Sequence, residues 1–66
     1  MQIQVNGELL EVAERSSLSD LVAQLELAGK RIAIELNLEI VPRSAYANTL
    51  LEAGDRIEIV HAIGGG

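Results

Sequence analysis

The residues best placed to do covalent chemistry are the last four, Ile63-Gly64-Gly65-Gly66. Glycine has no Cβ and takes extended or left-handed backbone without steric cost, so a strip of it enters slots where any other residue clashes. At ~3.3–3.6 Å per extended residue, three glycines carry a terminal carboxylate roughly 10 Å beyond a folded body. Such a carboxylate, with a pKa near ~3.5, is ionised at neutral pH and is a poor electrophile until its oxygen becomes a leaving group. The expectation is a slender tail whose end, Gly66, is the reactive group. Glycines at a terminus are also a common mark of simple fraying, so the rest of the chain must decide between the two.

No other residues compete for the role. The sequence has no cysteine, which excludes thiol catalysis, Cys-based metal sites and disulfides. There is one histidine, His61, and a lone strand histidine is ordinarily a packing or surface residue. No Ser-His-Asp set, no carboxylate pair at a justified spacing and no metal-ligand cluster stands out.

The elements that must position the tail follow from hydrophobic periodicity. Met1, Ile3 and Val5 alternate with Gln2 and Gln4, a half-buried strand, and Asn6-Gly7 is a strong type I′ hairpin signal because both central positions need positive φ. A returning strand over 8–13 puts Leu10 and Val12 on the core face. Ser17 with Asp20 three residues on reads as a capping box, and Leu18, Leu21, Val22 and Leu25 form one helical stripe. This predicts a helix over 18–28, stopped by Gly29, with Lys30 and Arg31 answering its dipole. Ile32, Ile34 and Leu36 give a third strand, Asn37-Leu38 a turn, and Glu39-Ile40-Val41 a short fourth strand ended by Pro42. The stretch 43–49 reads as a loop or single helical turn around Tyr46, with Leu50-Leu51 anchoring it in the core. Gly54-Asp55 turns the chain into the last strand, 56–62, with Ile57 and Ile59 toward the helix and Glu58 and Val60 away from it. Strands grouped around one helix imply an α+β domain, and a last strand paired with the first would hold the base of the tail rigidly.

Composition bounds the function. At 66 residues the chain is one domain, near the lower limit for a self-sufficient core. Its core must be aliphatic, since Tyr46 is the only aromatic. Ten acidic against 5 basic residues give a net charge of −5, which disfavours nucleic acid and suits basic partner surfaces. No apolar run reaches membrane-span length and the amino end lacks a signal-peptide pattern, so a cytoplasmic location without membrane attachment is expected.

A hairpin, one covering helix, a central last strand and a terminal Gly-Gly together resemble the β-grasp, ubiquitin-like carriers. Within them the chain is most similar to the sulfur carrier proteins of thiamine thiazole biosynthesis. The similarity rests on Ile3-Gln4-Val5-Asn6-Gly7, on Ile32-Ala33-Ile34-Glu35-Leu36-Asn37 with Ile40-Val41-Pro42-Arg43, and on Gly54-Asp55-Arg56-Ile57-Glu58-Ile59-Val60 leading to the tail. Two departures are Gly64 ahead of the Gly-Gly pair and Leu38 where a Gly or polar residue is usual. The resemblance implies a β-grasp body over 1–62, with a mixed sheet of four to five strands and one helix, and a flexible tail over 63–66. It implies a protein co-substrate and not an enzyme: an E1-like adenylating enzyme uses ATP-Mg to activate Gly66, and a persulfide from a cysteine desulfurase or other donor replaces AMP. A thiazole synthase then takes sulfur from the resulting thiocarboxylate, and the carrier itself binds no cofactor or metal. Val60 and Ala62, on the face away from the helix, are the expected docking surface. The competing readings are the molybdopterin synthase small subunit, which is richer in aromatics, a lysine-conjugating modifier, and a β-grasp binding module whose tail is irrelevant.

Overall fold

The structure, a computed structural model, describes residues 1–62. Strands β1 (Gln2–Val5) and β2 (Glu8–Glu11) form the amino-terminal hairpin, and helix α1 (Leu18–Gln24) follows. Strands β3 (Ile32–Leu36) and β4 (Glu39–Val41), a 3₁₀ helix (Arg43–Asn48) and strand β5 (Arg56–His61) complete the order. The five strands form one sheet in the order β2-β1-β5-β3-β4, with β1 and β5 parallel and the other neighbours antiparallel. The expected α+β β-grasp architecture is therefore present, at the upper of the two strand numbers expected.

Period-2 alternation decides the two faces of the sheet. Ile3, Ile34, Ile57 and Ile59 are buried against Leu18, Leu21 and Val22 of α1, with Val12, Tyr46 and Leu51 closing the core. Burying each such side chain is worth ~1.5–3 kcal/mol, and in a chain without disulfides this aliphatic layer is the main source of stability. Both hairpin turns place non-glycine residues at positive φ, Asn6 at 50° before Gly7 at 84°, and Asn37 at 50° before Leu38 at 72°. Leu38 thus occupies the position where glycine is easier, with its side chain in solvent.

Helix α1 opens as expected. Ser17 Oγ accepts the Asp20 N–H at 3.1 Å, and Asp20 Oδ2 accepts the Ser17 N–H at 2.9 Å. It ends earlier than expected, at Gln24, with no basic residue in its last turn. Glu26 turns left-handed (φ 60°), its N–H bonds to Ala23 C=O at 3.1 Å, and Leu27 N–H reaches back to Val22 C=O at 2.8 Å. These two bonds make a Schellman stop built on a glutamate, so Gly29 is not the stop and Lys30 and Arg31 do not answer the dipole. Three smaller corrections follow. β2 ends at Glu11, although Val12 is buried as expected; β5 ends at His61; and only Leu51 of the Leu50-Leu51 pair enters the core, Leu50 being exposed.

At the other end of the sheet the Met1 ammonium donates to Glu11 Oε2 at 2.8 Å and to Val12 C=O at 2.7 Å, with Glu14 Oε2 at 3.2 Å. The bond to Glu11 raises its pKa above the ordinary 8.0.

Candidate functional site

Strand β5 leads directly to the tail, so the site begins with how its last residues are held. The β3–β5 register pairs Ala33 with Val60 and Ile32 with His61, and Ala62 N–H then donates to Arg31 C=O at 2.9 Å. On the other side the parallel ladder pairs Val5 with Ile57, and Asn6 N–H donates to Ile57 C=O at 2.9 Å. The main chain leaves β5 at that point, but the Asn6 side chain continues the ladder. Its Oδ1 accepts the Ile59 N–H at 2.8 Å and its Nδ2 donates to Ile59 C=O at 3.1 Å. An amide side chain thus replaces one peptide unit, and β5 is bonded on both sides as far as Ile59. The base of the tail is anchored to within a few residues of Ile63.

Val60 and Ala62 share the exposed parity of the strand, as expected, and Val60 is 58% exposed. Around Val60 the register sets Ala33 directly opposite, while Glu58 faces Glu35, which in turn faces Ile40. Ile40, 76% exposed, ends the row of the two carboxylates, and Ala33 and Val60 form the next row on the same open face. Like charges directly opposite each other destabilise a sheet, so this pair is a cost to the fold. His61 is exposed at the edge of a groove on the helix side, lined also by Val5, Leu10, Leu25, Leu27 and Ile59. Glu8 shares that lining, but no hydrogen bond joins it to His61 among the described residues.

Ile63, Gly64, Gly65 and Gly66, the expected tail and reactive end, lie outside the described residues. Among the described residues no group of His, Cys, Asp and Glu could hold a metal ion, and no helix is long and apolar enough to cross a membrane. The body presents a held strand end and exposed apolar side chains on its open face. Sequence reasoning missed Asn6 as a ladder extension, because Asn-Gly signals only the turn. It also missed the Glu35–Glu58 pair, which exists only once register is known.

Comparison with known proteins bears on these features as a set. Residues 3–66 match the family model described as the ThiS family, a span that includes the three glycines. The sulfur carrier protein ThiS of Escherichia coli is 32% identical over 66 residues, covering 100% of both chains. A thiazole synthase of Paramagnetospirillum magneticum is 39% identical over 66 residues, and the chain spans only 20% of that protein's length. Among solved structures, the crystal structure of the thiamine biosynthesis protein ThiS of Geobacter metallireducens matches with a TM-score of 0.87 at 33% identity, covering 100% of both chains.

Proposed function

The chain belongs to the ThiS family, and from that premise we propose that it is a sulfur carrier for the thiazole of thiamine, working as a protein co-substrate. The observation that carries the reading is the family match running through Gly64, Gly65 and Gly66, the residues on which the chemistry would fall.

The carboxylate of Gly66 is unreactive toward sulfur as it stands, because the leaving group would be oxide. In the proposed cycle an E1-like enzyme holding ATP-Mg lets a carboxylate oxygen attack the α-phosphorus, and pyrophosphate departs. The terminal sulfur of a persulfide then attacks the carbonyl carbon of the acyl adenylate and expels AMP. A thiol breaks the S–S bond of the resulting acyl disulfide, leaving a thiocarboxylate on Gly66 and a disulfide among the donor sulfurs. A thiazole synthase takes that sulfur. The carrier supplies no cofactor or metal of its own, and the cytoplasm, where ATP and reduced thiols are abundant, is the location proposed. Gly65 and Gly64 provide the slender backbone that enters the partner's site, and Ile63 joins it to β5. Val60 and Ala62, with Ala33 and Ile40 beside them, form the proposed docking surface for the activating enzyme. Similarity to parts of two thiazole synthases supports the thiamine branch.

Intact-protein mass spectrometry tests this. After incubation with the activating enzyme, ATP and a persulfide donor, the chain should gain the mass difference of one sulfur for one oxygen, mapped to Gly66. The chain lacking Gly65 and Gly66 should gain nothing. A truncated chain that still feeds thiazole formation would overturn the reading.

A further inference from the structure

Although the molecule carries a net charge of −5, its charges are segregated along the strands. Three of its 5 cations, Lys30, Arg31 and Arg43, come together at the end from which the tail leaves. Arg31 is held beside Ala62 by the bond from its C=O to the Ala62 N–H at 2.9 Å. Arg43 follows β4 at the same end, and its Nη2 donates to Lys30 C=O at 2.7 Å, which ties the second strand end to the loop before β3. That acceptor is an uncharged carbonyl, so the bond brings no opposite charge to the guanidinium. Among the described residues neither Lys30 nor Arg43 forms an ion pair, and both are exposed. Five of the ten acids lie away from this end, Glu11 and Glu14 beside Met1 and Glu39, Glu52 and Asp55 at the far end of β3, β4 and β5, whereas Glu8 lines the groove beside His61 and Glu35 and Glu58 pair on the open face.

We propose that Lys30, Arg31 and Arg43 form a basic rim around the root of the tail that docks on an acidic patch at the mouth of the thiazole synthase site which receives the tail; this rests on the carrier reading above. Lys30, Arg31 and Arg43 belong to the folded body beside Ala62 and not to the tail, which assigns them to docking and leaves the chemistry to the tail. The remaining surface is acidic and would repel an extended polyanion, which favours a small acidic patch over nucleic acid or an anionic membrane. Complementary charge at such a rim acts chiefly on the association rate and aligns the tail with the opening during encounter.

The test is stopped-flow association of the full chain with the thiazole synthase from the same organism. Lys30→Glu is the clean reversal, because among the described residues the Lys30 side chain makes no hydrogen bond or ion pair. It should lower the association rate about tenfold at low salt and flatten its salt dependence, with little change in dissociation. Arg43→Lys, which keeps the charge, should stay within about threefold of the parent rate. Arg15→Glu changes net charge equally at the opposite end of the molecule and should leave the rate within about twofold. Equal losses for Lys30→Glu and Arg15→Glu, or no loss for Lys30→Glu, would overturn the rim. Failure of the carrier reading has a separate signature, the absence of any thiocarboxylate on the unaltered chain, whatever these rates are.

Discussion

Asn6 does two jobs with one residue. Its backbone, at φ 50°, starts the turn that takes β1 into β2, while its side chain holds both the N–H and the C=O of Ile59 at 2.8 and 3.1 Å. Alanine would lose both bonds and leave two part-buried backbone groups of the central strand without that partner. At ~0.5–1.5 kcal/mol per bond, Asn6→Ala should cost about 1–3 kcal/mol. In a domain of this size each kcal/mol lowers Tm by ~4–8 °C, readable by thermal denaturation followed by circular dichroism. Asn6→Asp keeps the acceptor for the Ile59 N–H and loses the donor, so its melting temperature should fall between the two. An alanine variant that melts with the parent would show that the ladder extension contributes nothing.

The stop of α1 shows how far local sequence can be read. The capping box at Ser17 and Asp20, the alternation in β1, β3 and β5, and the turns at Asn6-Gly7 and Asn37-Leu38 were all legible, because each depends on residues close together in sequence. The end of the helix was not legible, since it is set by Leu27 turning back over Val22, and glutamate gives no sign of accepting φ 60°. Leu50 and Leu51 are identical in type, and only the Ser17–Leu50 bridge, with Leu51 N–H on Ser16 C=O at 2.8 Å, sends the second inward. The exposure of Val60 on the face away from the helix followed from parity alone. The basic rim did not, because Lys30 and Arg43 are distant in sequence and meet only through the β3–β4 pairing. Left-handed backbone costs a non-glycine residue ~1–2 kcal/mol, partly offset by the greater chain entropy that glycine brings to the unfolded state. Glu26→Gly should therefore stabilise the domain by up to about 1 kcal/mol. A lowered denaturation midpoint for this variant would mean that the Glu26 side chain makes a contribution larger than the strain it bears.

Taken whole, the molecule presents opposite signs on two adjoining surfaces. The open sheet face sets Glu35 against Glu58 beside Val60, Ala33 and Ile40, whereas the tail root is ringed by Lys30, Arg31 and Arg43. Net charge alone gives an expectation of basic partner surfaces, whereas the rim proposed above calls for an acidic one. The paired carboxylates separate folding from docking in a measurable way. Glu58→Lys turns a like-charge pair into an opposite-charge pair, which in a sheet is worth ~0.2–1 kcal/mol, so the variant should melt slightly higher than its parent. If the open face meets a basic and apolar surface of the activating enzyme, the same change should raise the KM for the carrier in adenylation about tenfold while kcat stays near its parent value. Val60→Asp, at a position already exposed, should also raise KM without moving the melting temperature. A stabilised Glu58→Lys chain adenylated with unchanged KM would remove the open face from the surface that docks the activating enzyme.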